Sequence, residues 1–438
     1  MLRKLSFPIA LLCELIAINS TAQEKITFAS LSEIYAYAET HSISFQNAKQ
    51  QSILAKYQTI AAKLEMFNVK GQGNFMMIDN TKLNTTFLPA EIFGGPAGTF
   101  TPVTMGQKYA TSFTFEPQID LINPYAMAQV KVLKANEQLT EINNLLDKKA
   151  IHESISAAYH NILSYQWQID IMKKSLENAQ NITSIVSNKQ KEGLLREQDE
   201  SIATANEFLI KDKLQQLEIQ LEQQYNFLKI LCDIKPLTVV TISENLVYKT
   251  QFPIKATGNL LQRQTEWQAK YQKAILRADK RAMLPTLGFI SSFGWQENNN
   301  SNFFSTNEWF NSSYIGLKIT MPILPETSKV AKIKYSKINL EIAQNKANHS
   351  QLQNETNNNQ LELDLQKASE SLQLASNIEK LRKDIYQKNS NIHREGILST
   401  TDLIDSFNEW LNSCLNTVVQ LAISKHAKSK ILINNSIQ

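Results

Sequence analysis

Acidic side chains follow two similar glycine-containing segments of the sequence. Glu192–Leu195 reads Glu-Gly-Leu-Leu, and Glu395–Leu398 reads Glu-Gly-Ile-Leu 203 residues later. An aspartate lies six residues after each glycine, Asp199 in the first segment and Asp402 in the second, and Asp405 comes three residues later. Such carboxylates can attract cations, but aspartate also suits the first turn of a helix, where it complements the helix dipole. These residues alone leave both roles open.

Side chains that commonly catalyse reactions or bind metals do not cluster in this sequence. The histidines show neither a His-x3-His spacing nor clustering with carboxylates, so we expect no metal site. Gly71-Gln72-Gly73 lacks the third glycine and the following helix start of a phosphate-binding loop. No Gly-x-Ser-x-Gly motif or Ser/His/Asp grouping stands out either. We therefore expect no catalytic residues, no cofactor and no enzymatic activity.

Composition and charge narrow the class of protein. Only 12 glycines and 11 prolines occur among 438 residues, which predicts few, long, regular elements. A hydrophobic content of 42% excludes a disordered chain. The net charge of +4 is spread along the chain without a basic block, so nucleic acid is not expected as a partner.

The first 22 residues have the features of an export signal. Arg3 and Lys4 precede an apolar stretch from Phe7 to Ile18, and Ser20-Thr21-Ala22 fits a signal-peptidase site. This stretch is too short to span a membrane, and no later segment is long and apolar enough to do so as a helix. We predict a signal peptide at 1–22 and an exported mature chain.

The two cysteines of the predicted mature chain, Cys232 and Cys414, lie far apart within helical patterns. Their spacing does not indicate zinc, haem or a disulfide framework. We expect both to be small buried side chains.

Matching segments in the same order indicate an internal duplication. Besides the glycine segments, Phe115-Glu116-Pro117 is matched by Thr320-Met321-Pro322. We predict a first repeat at 23–235, a connector at 236–258 with one short strand-like run, and a second repeat at 259–438. Each repeat is predicted to contain a helix, a strand, a loop, a strand, a long helix, a glycine turn and a helix.

Long helices are indicated by apolar residues at alternating steps of four and three. This spacing covers Ile155–Ala179 in the first repeat and Leu361–Ala375 in the second. It is typical of a coiled-coil seam and predicts a helix over about 126–187. The segment 349–360 is rich in Asn and Gln, so it is either a polar loop or a solvated helix, and the repeat favours the helix.

Four segments alternate between apolar and polar side chains, which is the period of a β-strand. They predict strands at about 67–77, 109–117, 286–295 and 312–321. Each strand is about ten residues long, enough to cross a bilayer when tilted. The predicted apolar faces carry Phe67, Val69, Phe75 and Met77; Tyr109, Thr111, Phe113 and Phe115; Leu287, Phe289, Phe293 and Trp295; and Ile315, Leu317, Ile319 and Met321.

These strands would also suit a soluble antiparallel sheet, so the membrane hypothesis depends on their arrangement. Both hairpins have polar, irregular loops at one end, 78–108 and 296–310, and helices at the other end. Lipid does not tolerate open strand edges, and the smallest closed barrels have about eight strands. Four strands per chain would therefore require oligomerisation, with a dimer supplying eight strands and a trimer supplying twelve.

Several short motifs in this order resemble the TolC-type outer-membrane efflux proteins. Ala158–Leu163, which reads Ala-Tyr-His-Asn-Ile-Leu, is similar to the family's Ala-Tyr-x-x-Leu-Leu. Leu284–Leu287 enters a strand and Met321–Ile323 leaves one, and both glycine turns are followed by their aspartates. The resemblance covers essentially the whole mature chain.

The resemblance implies an α+β membrane protein located in the outer membrane of a Gram-negative-type cell, with a periplasmic extension. Four transmembrane β-strands per chain would contribute to a trimeric 12-stranded barrel. Long antiparallel coiled-coil helices would continue the barrel as a periplasmic tunnel. The implied function is the exit duct of a tripartite efflux or type I secretion system, which passively conducts substrates from an inner-membrane pump through a periplasmic adaptor.

A different class of protein also fits part of the pattern, namely a periplasmic coiled-coil adaptor or structural protein whose strands form a soluble sheet. Adaptors usually present one helical hairpin with compact β domains. This sequence contains two similar hairpins in tandem, which favours the channel.

The resemblance also assigns roles to residues around the two turns. Turn residues Gly193, Leu194, Gly396 and Ile397 are implied to lie at the periplasmic tip, where the adaptor docks. Asp402 and Asp405 match the acidic pair that lines the constriction of the pore, and Asp199 is the counterpart in the first repeat. Some members have an arginine and a tyrosine where this chain has Leu398 and His393, so their closing hydrogen-bond network is not implied here.

Overall fold

The computed structural model describes residues 25–244, 254–304, 309–323 and 326–437. The predicted signal peptide at 1–22 lies outside the described residues, as does the middle of the predicted connector, 245–253. The chain folds into two compact units. The helical unit comprises the described residues up to Lys49, Asn144–Leu260 and those from Gln353 onward, and the sheet unit comprises Gln50–Asn143 and Leu261–Leu352.

Seven α-helices account for most of the described residues. They are α1 Leu31–His41, α2 Ile43–Glu65, α3 Pro124–Lys191, α4 Glu197–Cys232, α5 Leu260–Arg281, α6 Thr327–Arg394 and α7 Thr400–Ser436. The helix predicted over about 126–187 is confirmed as α3 and extends further at both ends. Helices α3 and α6 have 68 residues each, as the scarcity of glycine and proline predicts. Among the described residues, none of the helices combines the length and apolar character that crossing a membrane requires.

The buried side chains of the helical unit follow the predicted seams. In α3, Ile155, Ile162 and Met172 are almost completely buried, and they pack against apolar side chains of α4 and α7. Leu365 in α6 packs against Ile431 of α7 in the same way. Apolar side chains at alternating steps of four and three therefore form the contacts between helices.

The Asn/Gln-rich segment 349–360 is helical within α6, so the helical interpretation is confirmed. Its polar side chains have a specific use, because Asn354 and Asn358 both donate hydrogen bonds to the carbonyl oxygen of Gly258, at 2.8 and 3.0 Å. Gly258 precedes α5 at the end of the predicted connector. These asparagines therefore anchor irregular backbone, which an apolar side chain could not do.

A short parallel strand pair also belongs to the helical unit. It joins β1, Lys25–Phe28, to β6, Val239–Ile242. The short strand-like run predicted in the connector, Leu237–Thr241, corresponds to β6, whereas β1 is not predicted from the sequence. A strand of four residues is too short to show a clear alternation.

The sheet unit contains a four-stranded antiparallel sheet. Its strands are β2 Lys70–Asp79, β5 Tyr109–Ile122, β7 Thr286–Asn299 and β8 Trp309–Thr320, in the order β2-β5-β7-β8. All four predicted strands are observed with shifted ends. The first begins at Lys70 instead of Phe67, because Asn68 has a φ of 30° and interrupts the extended backbone.

The prediction of an irregular loop over 78–108 is wrong. This segment contains β3, Asn84–Pro89, and β4, Phe100–Met105, which pair as an antiparallel hairpin with a short 3-10 helix at Ala90–Phe93. Prolines in both strands obscure the pattern in the sequence, but a proline is tolerated in an edge strand. In the second predicted loop, 296–310, β7 extends to Asn299 and β8 starts at Trp309, while 305–308 lies outside the described residues.

Candidate functional site

One face of the four-stranded sheet is mainly apolar. Strand register places Phe75 next to Phe113, and Phe113 next to Trp295, whose ring lies 5.7 Å from that of Phe113. Further along the sheet, Leu317 lies opposite Phe289. Leu317 is 68% exposed and is not covered by any other part of the described chain. The predicted apolar side chains of the strands therefore share one face, which also includes the buried polar residues Thr111, Ser291 and Glu297.

The opposite face of the same sheet is more polar, although Met76, Ile78 and Phe310 also lie on it. A cavity of 480 Å³ on this face is lined by Gln72, Glu116, Gln118 and Lys318, among other residues. Thr114 lies on the same face, opposite Gly294. The two faces of one sheet therefore differ in the way expected when one contacts hydrocarbon and the other contacts water.

Both outer edges of this sheet are open. Strand β2 pairs only with β5, and β8 pairs only with β7, in the described part of the chain. Each outer strand thus leaves a row of backbone N–H and C=O groups without a strand partner. Exposed edges of this length are a ready template for pairing with another chain.

Aromatic side chains lie near the loop end of the sheet. The ring of Tyr109 contacts that of Phe303 at 4.7 Å, and the Thr111 hydroxyl donates a hydrogen bond to the Phe303 carbonyl oxygen at 2.6 Å. Trp309 and Phe310 are exposed at the start of β8. Aromatic residues at strand ends are typical of the interfacial girdle of a membrane barrel.

The two predicted glycine turns have the same backbone geometry. Gly193 has a φ of 76° and Gly396 a φ of 78°, in the left-handed region that favours glycine. Leu194 donates its N–H to the Lys189 carbonyl oxygen at 2.9 Å, and Ile397 donates its N–H to a carbonyl oxygen one turn back, at 3.2 Å. This is the Schellman motif, which ends a helix by satisfying its last carbonyls.

The hydrophobic residues after these glycines are exposed. Leu194 is 67% exposed and Ile397 is 75% exposed. Neither side chain is needed to fill a core, so both are available at the surface of the helical unit.

The structure brings the two turns together. A cavity of 710 Å³ is lined by residues of both turns, including Leu194, Asp199, His393 and Ile397. Burial and the positive charge of Lys189 lower the pKa of His393 below its usual range. Asp402 and Asp405 are not among the residues that line this cavity, so the structure does not place all three predicted aspartates in one pocket.

Asp199 and Asp402 take part in the hydrogen bonds that cap α4 and α7. The Asp199 carboxylate accepts a hydrogen bond from the backbone N–H of Arg196 at 3.1 Å. At the start of α7, Ser399 is the N-cap, and its side chain bonds both the backbone and the carboxylate of Asp402. The helix-start role considered from the sequence therefore applies to Asp199 and Asp402.

Asp405 differs from the other two aspartates. It is exposed, and within the described part of the chain its carboxylate forms no hydrogen bond or ion pair. Next to it, Ile404 is buried against Val186 and Ala203, which fixes this turn of α7 on the neighbouring helices. Asp405 therefore presents a free carboxylate from a rigid position.

A histidine pair in the helical unit, with one ring buried and the other half-buried, is not predicted from the sequence. The rings of His160 in α3 and His426 in α7 lie 6.1 Å apart. His160 contacts the Ser429 hydroxyl at 3.1 Å, and His426 contacts the Ser156 hydroxyl at 3.1 Å. The two histidines lie in different predicted repeats, far apart in sequence, so no local spacing could have revealed the pair.

The described residues were also compared with the requirements of a reactive thiol and of a metal site. Burial raises the pKa of both Cys232 and Cys414 to about 12, so neither thiol forms a reactive thiolate near neutral pH. Among the described residues, no group of three or more His, Cys, Asp and Glu side chains is arranged to hold a metal ion.

No family model matches this sequence, and no curated protein sequence matches it either. Solved structures do match its fold. The outer membrane protein VceC from Vibrio cholerae has a TM-score of 0.76 at 14% identity, over 92% of this chain and 95% of that chain. The CmeC outer membrane channel from Campylobacter jejuni has a TM-score of 0.74 at 15% identity, over 92% of this chain and 85% of that chain.

The outer-membrane channel OprN gives a similar result, with a TM-score of 0.74 at 16% identity over 92% of this chain and 89% of that chain. These similarities show that the chain has a TolC-like fold over almost its whole length.

Proposed function

We propose that the chain is one subunit of an outer-membrane channel in which three copies close a twelve-stranded barrel. The channel is the exit duct of a tripartite efflux or type I secretion system. It is passive, and the energy for transport comes from an inner-membrane pump. In this proposal, residues 1–22 direct export and are then removed.

The main support for this proposal is the four-stranded sheet. It has an exposed apolar face, a polar face and two open edges. Open edges are not tolerated in hydrocarbon, so a sheet that enters the membrane must pair both edges with neighbouring copies. In the proposed ring, β2 of one copy pairs with β8 of the next.

The number of copies follows from the space that a barrel must enclose. Two copies would supply eight strands, and side chains fill the interior of a barrel of that size. Three copies supply twelve strands and begin to leave an aqueous lumen. The polar face with Gln72, Glu116 and Lys318 lines this lumen, and Phe113 and Leu317 face lipid.

The helical unit supplies the periplasmic tunnel. Helices α3, α4, α6 and α7 of three copies continue the lumen toward the inner membrane. Turn residues Gly193, Leu194, Gly396 and Ile397 form the periplasmic tip, where exposed Leu194 and Ile397 provide apolar contacts for a periplasmic adaptor. Asp402 and Asp405 line the constriction, and Asp199 lies beside it.

The alternative, a periplasmic adaptor or structural protein, is less well supported by the sheet. A soluble sheet of this kind would cover its apolar face with a core of its own chain. Here Ile319 on that face is 73% exposed. Coverage by lipid and by neighbouring copies accounts for this exposure without a missing core.

Cell fractionation combined with gel migration tests the proposal. We expect the mature protein in the outer-membrane fraction, migrating as a trimer in unheated detergent samples and as a monomer after heating. The apolar side chains of this face predict that salt will not release it from the membrane. Recovery as a monomer in the soluble periplasmic fraction would instead favour the adaptor.

A further inference from the structure

The hairpin formed by β3 and β4 has an unusual composition for a water-exposed ribbon. Phe87, Ile92, Phe93 and Phe100 are all exposed on it. Only one charged residue, Glu91, occurs within 83–107. Its carboxylate is exposed and accepts a hydrogen bond from the Gly98 N–H of the same hairpin at 3.1 Å. The surface of the hairpin therefore carries exposed aromatic and aliphatic side chains among uncharged polar ones, with a single charged group.

The rest of the described chain does not cover this hairpin. No hydrogen bond, ion pair or ring contact joins 84–105 to another element among the described residues. A two-stranded ribbon alone is at best marginally stable in water, and it needs a third strand or a packing partner. The exposed aromatic side chains indicate that such a partner lies on the ribbon in the assembled protein.

Lipid is a poor partner for the ribbon. Both outer edges of the β3–β4 ribbon are open in the described structure, and hydrocarbon does not tolerate unpaired backbone groups. The ribbon between 83 and 107 also lacks lysine and arginine, the side chains that bind anionic headgroups. The ribbon needs a partner that pairs with its open edges and covers its aromatic rings. Another protein ribbon can do both.

A second and a third copy of the same ribbon are within reach in the proposed trimer. A barrel of twelve strands with a spacing of about 4.8 Å and a tilt of about 40° has a radius of about 12 Å. Six residues in each strand, Asn84–Pro89 and Phe100–Met105, give the ribbon a length of about 20 Å. A ribbon attached at the wall is therefore long enough to reach the axis.

The attachment of the ribbon to the sheet permits a change of direction. All helices of the sheet unit join the sheet at one end, and the ribbon connects β2 and β5 at the other end. Gly106, between β4 and β5, has a φ of 111°, which strains any residue with a side chain. The backbone can therefore turn sharply where the ribbon leaves the sheet.

We propose that the three β3–β4 hairpins of the trimer contact one another over the outer opening of the barrel and form a gate there. This inference rests on the proposed function, since it needs three copies around one lumen. The apolar tips around Ile92 and Phe93 exclude water and ions when they are in contact. The gate opens when the ribbons separate.

Cysteine cross-linking tests the contact. Phe93→Cys is introduced, and the purified protein is oxidised with diamide before heating and electrophoresis without reductant. A disulfide requires Cα atoms within about 7 Å, a distance that only tips close to the axis reach. We expect two of the three chains of each trimer to become linked, giving a dimer band beside the monomer.

A matched control is available in the other loop at the same end of the sheet. Phe304 is 58% exposed, close to the 59% of Phe93. Residues at the barrel wall of a trimer are about 20 Å apart for a radius of about 12 Å. Phe304→Cys and the unmodified protein should therefore remain monomers on the same gel.

Conductance measurement tests the gate. In planar bilayers, oxidised Phe93→Cys channels should conduct at least twofold less than the same channels after dithiothreitol, whereas Phe304→Cys channels should be unaffected. An unheated gel is run first on each variant. Absence of the trimer would overturn the proposed function itself. An intact trimer without the dimer band, or with the band and unchanged conductance, would overturn the gate alone.

Discussion

The side chains of Ser399 and Asp402 hold each other at the start of α7. The Ser399 hydroxyl accepts a hydrogen bond from the Asp402 backbone N–H at 3.1 Å and donates one to the Asp402 carboxylate at 2.6 Å. Such N-terminal caps contribute about 1 kcal/mol to helix stability. Asp402 therefore has a structural role whatever its role in a pore, and replacement by alanine would disturb both.

We expect the double variant Asp402→Asn, Asp405→Asn to lose cation selectivity while it still assembles. Asparagine keeps an acceptor for the Ser399 hydroxyl and removes the charge. In the proposed trimer, the native residues place six carboxylates around a narrow entrance, and acidic rings favour cations. Reversal potentials in planar bilayers measure the selectivity, and block by multivalent cations should weaken as well.

Asp199→Asn provides the comparison for this variant. Its carboxylate caps α4 through the backbone N–H of Arg196, and it lines the cavity between the turns. We expect it to change selectivity less than the double variant. Unchanged selectivity and block in correctly assembled double-variant trimers would mean that the constriction lies elsewhere.

Because the two faces of the sheet differ, we expect lysine to be tolerated on the polar face and not on the apolar face. Leu317→Lys and Phe113→Lys should impair trimer assembly, because a charge facing the bilayer midplane costs about 2–4 kcal/mol. Thr114→Lys, which faces the polar side, should assemble normally. The yield of heat-sensitive trimer in outer membranes measures the difference, and equal tolerance at all three positions would show that these strands do not contact lipid.

Elements with a long, regular period are the ones that the sequence predicts well. All four strands of the main sheet are predicted because alternation over about ten residues fixes which side chains share a face. The 68-residue helices follow from the seams and from the lack of glycine and proline. The β3–β4 hairpin is missed because prolines interrupt its short strands, and β1 is missed because it has only four residues.

Some residues of the candidate site can be predicted from the sequence, and others cannot. Gly193 and Gly396 are predicted because a Schellman motif is local and leaves a recognisable Gly-hydrophobic pair. The contacts of Asn354 with Gly258 and of His160 with His426 join residues that are far apart in sequence. Only the folded chain brings these pairs together, so no spacing rule identifies them.

Gly258 should be intolerant of a side chain. A Cβ at this position would lie 2.4 Å from the Asn434 carbonyl oxygen, so the backbone must shift. That shift would also disturb the hydrogen bonds that Asn354 and Asn358 donate to Gly258. We expect Gly258→Ala to destabilise the protein by about 1–3 kcal/mol, measured by thermal unfolding in detergent.

Gly73→Ala is the matched substitution, because no atom lies within 4 Å of its Cβ position. We expect it to leave the unfolding midpoint almost unchanged. If both alanine variants unfold at the same temperature as the unmodified protein, the packing around Gly258 contributes nothing to stability.

The low pKa values of His160 and His426 predict that the protein becomes less stable in mild acid. Burial, with smaller effects from His426 and Lys425, lowers the pKa of His160 to about 3, and burial with Lys430 lowers that of His426 to about 4. Both pKa values lie below the ordinary value of about 6.5, so the folded state binds fewer protons than the unfolded state. Their contribution to stability is complete above pH 6.5 and decreases as the pH falls toward 4 and 3.

His160, which is 6% exposed, supplies most of this effect. At pH 5 the solution is about 1.5 units below the unfolded pKa, which corresponds to about 2 kcal/mol lost relative to pH 7.5. Half-buried His426 contributes less because solvent screens its charge. His160→Gln removes the titration and keeps a side-chain amide that can hydrogen-bond to the Ser429 hydroxyl. We expect the variant to show a smaller decrease of its unfolding midpoint between pH 7.5 and 5 than the unmodified protein, even if its midpoint at pH 7.5 is lower. Equal decreases in the two proteins would mean that water reaches His160 in the folded state and that its burial has no consequence for protonation.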